Sequence, residues 1–431
     1  GAQLTSETIS LTETAAGVSI LQINVESGTN VTFGNITAST FATSTDSLRI
    51  FGASGNETIN GPNIGSTISS LAGNDTITGG TQADIIEGGD GNDTLTGGDG
   101  TDSLNGGAGN DTYRFNTGDV DSGESITEAS SGGTDTVSII TSTDFANMSN
   151  ASFDEIDVIN FGGASQTATF TGAQLTSETI SLTETAAGTS NLIINVGAGG
   201  TGAFTNITAA SSFTSGADTV TINGSTGNET ITGPNIATTI TGGAGTDTIT
   251  GGTQADIITG GDGNDTLTGG DGNDTLKGGD GNDTLTGGDG IDTFHVDAGT
   301  DTISDLTTSD ILKVSSGATA NATNVFAFVA TSDTSNLGTA NIYASGGNAT
   351  IDMTLSSSGT YNIYSGAGND TLKGSTGNDL FTIVNSGEAN SDTIDGGSGS
   401  DIFVLSSKHQ DSFDTKTVSY THLTLPTIYS V

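Results

Sequence analysis

The stretch GGDGNDTLTGGDGNDTLKGGDGNDTLTGG, residues 260–288, divides into units of nine that differ only at their last position. Its composition, glycine and acid with few apolar residues, is that of a disordered linker. Its phase is not, because a leucine returns at position 8 of every unit: Leu267, Leu276 and Leu285. Outward from here the phase runs unbroken over 224–295 as eight nonads, with Ile231, Ile240, Ile249, Ile258, Leu267, Leu276, Leu285 and Phe294 at position 8. Seven nonads cover 52–114, with Ile59, Ile68, Ile77, Ile86, Leu95, Leu104 and Tyr113 in that place. A shorter third block runs over 365–382 and, after four further residues, 387–404.

Each position of the nonad has a physical reading. Glycines at positions 1, 2 and 4 permit positive φ and close backbone approach, so a six-residue turn can aim carbonyl oxygens at an ion. Position 6 adds a carboxylate. Calcium takes six to eight oxygen ligands at about 2.3–2.6 Å in a flexible cage, whereas magnesium demands a tighter octahedron. Positions 7–9 read as a strand of about three residues, with the apolar side chain inward and its neighbours, mostly Thr, facing water. Two nonads make one coil, and coils stack in parallel at about 4.8 Å.

The pattern G-G-x-G-x-D-x-U-x, with U a large apolar residue, resembles the RTX (repeats-in-toxin, haemolysin-type) calcium-binding repeat of secreted bacterial proteins. The resemblance implies an all-β fold of parallel β-roll (β-solenoid) blocks, with calcium shared between stacked turns. Carried over by position, it implies metal ligands at Asp75, Asp84, Asp93, Asp102 and Asp111 in the first block. The second block contributes Asp247, Asp256, Asp265, Asp274, Asp283 and Asp292, and the third Asp370, Asp379, Asp392 and Asp401. Departures from the pattern fall early in the blocks: Glu57 and Glu229 replace the position-6 Asp, Ser66 and Thr238 put a hydroxyl there, and Gln82 and Gln254 replace the position-4 Gly. Those nonads are expected to bind weakly or to serve as unligated coils. The extra acids at position 3, Asp90, Asp99, Asp262, Asp271, Asp280 and Asp289, are either solvated turn residues or further ligands.

A longer repeat encloses the nonads. GAQLTSETISLTETAAG at 1–17 recurs unchanged at 172–188, and GNETINGPNI at 55–64 returns as GNETITGPNI at 227–236. The first copy begins in mid-pattern without Met, so a longer native chain is expected. The organisation reads as a strand-rich spacer at 1–51, a roll at 52–115, a spacer at 116–223, a roll at 224–295, a capping and strand-rich spacer at 296–364, a roll at 365–404 and a tail at 405–431. The tail loses glycine after Gly399 and holds His409 and His422. It reads either as a type I secretion signal or as non-native read-through around VSYTHLTLPT, and Tyr420 to Val431 are assigned no function.

Composition narrows the function. Of 431 residues, 50 are Asp or Glu against 7 Lys or Arg, a formal charge of -43. Such an anion repels nucleic acid and anionic membranes and attracts multivalent cations. No apolar run reaches the length of a membrane-spanning helix, so membrane insertion is not expected. Cysteine is absent, so disulfides cannot staple the chain. The three histidines form no H-E-x-x-H, the zinc site of the serralysin-type proteases that carry RTX repeats, and no G-x-S-x-G turn occurs. We therefore expect no enzyme here, but a calcium-binding structural segment of a secreted or cell-surface protein, surface-layer or adhesin-like, that folds on extracellular calcium. Self-association and cell-surface glycans are the remaining partner candidates. The alternative is the repeat region of a type I secreted hydrolase or toxin whose catalytic domain lies elsewhere. The upstream gene sequence discriminates between the two.

Overall fold

The computed structural model describes residues 9–11, 20–33, 36–38, 47–128, 133–213, 218–384 and 392–406. The tail after Ser406, with His409 and His422, and most of residues 1–17 lie outside them. Two compact units form: one of 1–195 with 204–221, the other of 196–203 with 222–431. Each is a parallel β-solenoid, as the nine-residue phase predicts. Among the described residues no helix is long and apolar enough to cross a membrane.

In the first unit a nine-strand sheet and a six-strand sheet face each other across the core. Consecutive nonads alternate between them, so residues eighteen apart stack: Ile77 pairs with Leu95, and Ile86 with Leu104. The second unit repeats this, with Ile258 paired to Leu276 and Leu267 to Leu285. Every position-8 side chain of the first two blocks is at most 1 % exposed, which makes a core one residue wide. Some strands keep the expected three residues, as Thr248–Thr250 does, but those of the most regular nonads are longer. Thr266–Asp271 takes in positions 1–3 of the next nonad, because the glycines there pair as well, Gly261 with Gly279 and Gly270 with Gly288.

Glycine has two separate reasons in the nonad. At positions 2 and 4 φ is positive, +125° at Gly261 and +134° at Gly263, and a Cβ would run into the carbonyl oxygen of the residue one coil below. Position 1 needs no positive φ. A Cβ on Gly260 would stand 2.6 Å from the Gly278 carbonyl oxygen and closer still to Asp265 Oδ2, so its glycine keeps open the space that the carboxylate enters.

Position 5, to which the nonad pattern assigned no role, forms a ladder of its own. The N–H of Asn92 donates to Asn74 Oδ1 at 3.0 Å, that of Asn110 to Asn92 Oδ1 at 2.9 Å and that of Asn282 to Asn264 Oδ1 at 2.8 Å. An Asn side chain thus satisfies a turn N–H that no strand partner reaches.

The stack does not stop where the nonads lose their glycines. In the first unit, strands Thr112–Phe115, Thr136–Ile139, Val158–Phe161 and Ile180–Glu184 continue one sheet in register. These coils are wider, and Phe115, Phe145, Phe153 and Phe170 fill them, with ring centroids 4.7–5.7 Å apart. In the second unit, the segment expected to cap the roll instead pairs on both sides. Thr300–Ile303 lies between Thr284–Asp289 and Thr319–Val325, so the sheet passes through it.

Gly281→Ala tests the stacking. Its Cβ would collide with the Gly263 carbonyl at a φ of +141°, whereas one on Gly346 meets nothing within 4 Å. In saturating calcium, denaturant unfolding should show Gly281→Ala losing at least about 1–2 kcal/mol, the cost of a left-handed non-glycine residue, with Gly346→Ala unchanged.

Candidate metal centre

The position-6 carboxylates form ladders that run between coils. In the first two blocks each uses Oδ1 to accept the backbone N–H of the position-6 residue eighteen before it. On one side of the first unit, Glu57 N–H donates to Asp75, Asp75 to Asp93 and Asp93 to Asp111, at 2.6–2.8 Å. On the other side Ser66 donates to Asp84 and Asp84 to Asp102, both at 2.7 Å. In the second unit Glu229, Asp247, Asp265 and Asp283 form one ladder, and Thr238, Asp256, Asp274 and Asp292 the other. The third block is joined across wider coils: Asp370 N–H donates to Asp392 at 3.0 Å, and Asp379 N–H to Asp401 at 2.9 Å. Asp370 and Asp379 in turn accept the N–H of Ala349 and Tyr361, so all fifteen acids implied by the nonads accept a backbone N–H of a neighbouring coil through Oδ1.

Turning Oδ1 onto the neighbouring coil leaves Oδ2 pointing inward. In Asp84, Asp93, Asp102, Asp111, Asp247, Asp265, Asp274 and Asp283 this atom is buried and accepts no hydrogen bond. A buried carboxylate oxygen without a partner costs free energy that the fold must recover elsewhere. What faces it is more oxygen. The point where a Cβ of Gly88 would stand is 2.7 Å from the Gly106 carbonyl oxygen, with Asp93 Oδ2 nearer still, and the same pair recurs at Gly242, with Asp247 and the Gly260 carbonyl. Carboxylate and carbonyl thus converge beside the position-1 glycine, and the Oδ2 there accepts no hydrogen bond. An oxygen-only cage of this kind fits a hard cation such as calcium.

The exceptions support that reading. Glu57 and Glu229 have both carboxylate oxygens engaged by N–H groups, of Gly28 and Ala53 and of Gly199 and Ser225. Asp256 Oδ2 accepts from Gly252 N–H at 2.7 Å, and Asp379 Oδ2 from Ser375 N–H at 2.7 Å. These places are satisfied by the protein itself. The position-3 acids are all exposed, as solvated turn residues are.

Several ladder members lie beyond the fifteen. Asp301 and Asp310 accept from Asp283 and Asp292 N–H, at 3.1 and 2.9 Å. In the first unit Glu124 accepts from Asp102, Asp135 from Asp111 and Asp157 from Asp135, all at 2.8–2.9 Å. Asp301 was within reach of the sequence: Gly299, Asp301 and Ile303 hold positions 4, 6 and 8 of the next nonad in phase, and only its paired glycines are missing. Glu124, Asp135 and Asp157 were not, because their coils span 22 or 24 residues and break the period.

Burial governs the charge state. Desolvation pushes Asp93, Asp102 and Asp301 up to about 7 from an ordinary 3.8, and Asp84, Asp111, Asp256, Asp265 and Asp292 up to about 6, against the lowering effect of the N–H each accepts. Like charge one coil away adds to this at Asp93, from Asp111 and Asp75. Among the described residues only two ion pairs form, Lys277 with Asp297 and Lys373 with Asp352, so lysine does not neutralise the ladders.

Because these pKa values are raised on folding, the folded chain binds more protons than the unfolded one between about pH 4 and 7, and ion-free stability falls as pH rises through that window. In chelator, circular dichroism should therefore show more β signal at pH 5 than at pH 8. Calcium must displace the same protons, so its apparent affinity should weaken over the same fall in pH. Asp265→Asn separates the two roles of the carboxylate. The amide oxygen can still accept the Asp247 N–H, while the inward atom becomes a donor that cannot ligate. In chelator its β signal should be at least that of the parent, and calorimetric titration should show weaker calcium binding.

The family model described as RTX calcium-binding nonapeptide repeat (4 copies) matches residues 65–95, 78–113, 241–276, 268–303, 362–382 and 386–406. The match in the second block runs to residue 303 and so includes Asp301. No curated protein matches the chain. The glycine turns, the carboxylate ladders and the matched segments coincide: the Asp-lined blocks of this chain are RTX calcium-binding nonapeptide repeats, and the ion they take is calcium.

Proposed function

We propose that this chain is a structural segment of an exported protein, surface-layer or adhesin-like, whose solenoids assemble when the chain meets extracellular calcium. The observation that carries this reading is the row of buried, unpartnered Oδ2 atoms. Without cation each coil adds another desolvated anion over the last, around a core only one side chain wide. In cytosol, where calcium is scarce, that balance opposes folding and keeps the chain threadable for export. Outside, each bound ion removes the penalty, and binding free energy becomes folding free energy.

A structural rather than catalytic role has its own support. The buried acids repeat along the stack instead of converging on one cleft, and their Oδ1 atoms are committed to backbone N–H groups. The near-duplicate module extends a scaffold and adds no new chemistry. Outward strand positions are mostly Thr, Asn and Ser, a polar face suited to contact with neighbours, glycans or water.

Circular dichroism and limited proteolysis across a calcium titration test the folding claim. The β signal and protease resistance should rise together by millimolar calcium and fall with chelator, whereas a chain equally ordered in chelator would sink the proposal. The location is tested by labelling intact cells with antibody against the chain. A surface signal shed by chelator is expected, and a purely intracellular one refutes it.

A further inference from the structure

We propose that Asp111, Glu128 and Asp135 hold one calcium ion in a three-carboxylate site, built differently from the nonad sites, where the first roll passes into wider coils. The proposal rests on the calcium-dependent reading above and concerns residues that the nonad pattern does not join.

The three side chains each bring an oxygen within 4.8 Å of the other two. Asp111 is 1 % exposed, and its Oδ2 accepts no hydrogen bond. That atom is aimed into the cluster. Of the atoms around the point where a Cβ of Gly106 would stand, it is the nearest, and Glu128 Oε1 and Tyr113 Oη follow at 2.6 Å each. In the regular nonads the matching second oxygen is the carbonyl of the position-1 glycine one coil on, as Gly106 provides for Gly88. After Asp111 the next coil is not a nonad, and Glu128 Oε1 fills that place. A neutral ligand has been exchanged for an anionic one.

The neighbours hold this arrangement. Tyr113 is the position-8 residue of the last nonad, and its ring is fully buried. Its hydroxyl accepts the Gly106 N–H at 2.6 Å and donates to Glu128 Oε1, which fixes the Glu128 carboxylate over the site. Asp135 accepts the Asp111 N–H at 2.8 Å through Oδ1 and is itself 2 % exposed. All the ligands are hard oxygens, with no His or Cys among them, so the site selects calcium or a lanthanide over zinc or copper. Oxygen sites bind calcium more tightly as their ligand charge rises. With three carboxylates, this site fills before the nonads do.

Calorimetric titration of the whole chain with calcium should resolve one tight ion, at least about tenfold tighter than the nonad class. Glu128→Gln should remove the tight class and keep the gain in β signal at higher calcium. Terbium gives a second readout, since a tyrosine beside the ion excites its emission by energy transfer. Emission at the first equivalent should appear in the parent chain, be displaced by calcium and be lost in Tyr113→Phe. A Glu128→Gln titration identical to the parent's, or first-equivalent emission that survives Tyr113→Phe, overturns the site while leaving the nonads untouched. A parent chain with no calcium-dependent β signal overturns both this site and the reading beneath it.

Discussion

One hydrogen bond organises these solenoids: the backbone N–H of a position-6 residue donating to the Asp Oδ1 of the coil that follows. It spaces the coils, fixes their register and dictates which way each carboxylate faces. Since one oxygen is spent on the neighbouring backbone, the other must turn inward, where glycine at position 1 leaves space and a carbonyl already points. The metal site is thus a by-product of the same contact that stacks the chain. Fold and ion site cannot be varied independently here, because each ladder Asp belongs to both.

This coupling explains the severity of the sequence pattern. Position 8 tolerates Ile, Leu, Phe or Tyr, since it needs only to be large and apolar. Position 6 is stricter, because the side chain must reach a backbone N–H and still leave one oxygen over the cage. Where Glu57 and Glu229 stand instead, the longer side chain folds back onto nearby N–H groups and the oxygen pair is consumed. Ser66 and Thr238 preserve the stack by donating their own N–H groups, though they bring no carboxylate.

The regular part of the fold was legible in the sequence because each residue type has one job in each of nine places. Leu267, Leu276 and Leu285 announced the core, and Asp265, Asp274 and Asp283 the ladder. Legibility failed where the jobs were shared out differently. Asp301 kept its phase without paired glycines, and the position-5 amides, to which the pattern assigned no role, bridge coils. Glu124, Glu128 and Asp135 follow loops of irregular length, and no period could bring them to Asp102 and Asp111. The aromatic cluster of Phe115, Phe145, Phe153 and Phe170 was illegible for the same reason, since wide coils gather residues from unrelated positions.

The eighteen-residue stacking rule also bears on inheritance. Removing or adding whole coils leaves every surviving carboxylate over a backbone N–H, so such a change of length is nearly silent in the interior. A one-residue change inside a block would instead turn all later side chains out of their rows. The single-residue difference between the two long modules falls between 17 and 55 of the first copy, outside the nonads, as this demands. Genes of this design can therefore drift in repeat number while their reading frame of side chains stays fixed, and sister strains would be expected to differ by multiples of a coil.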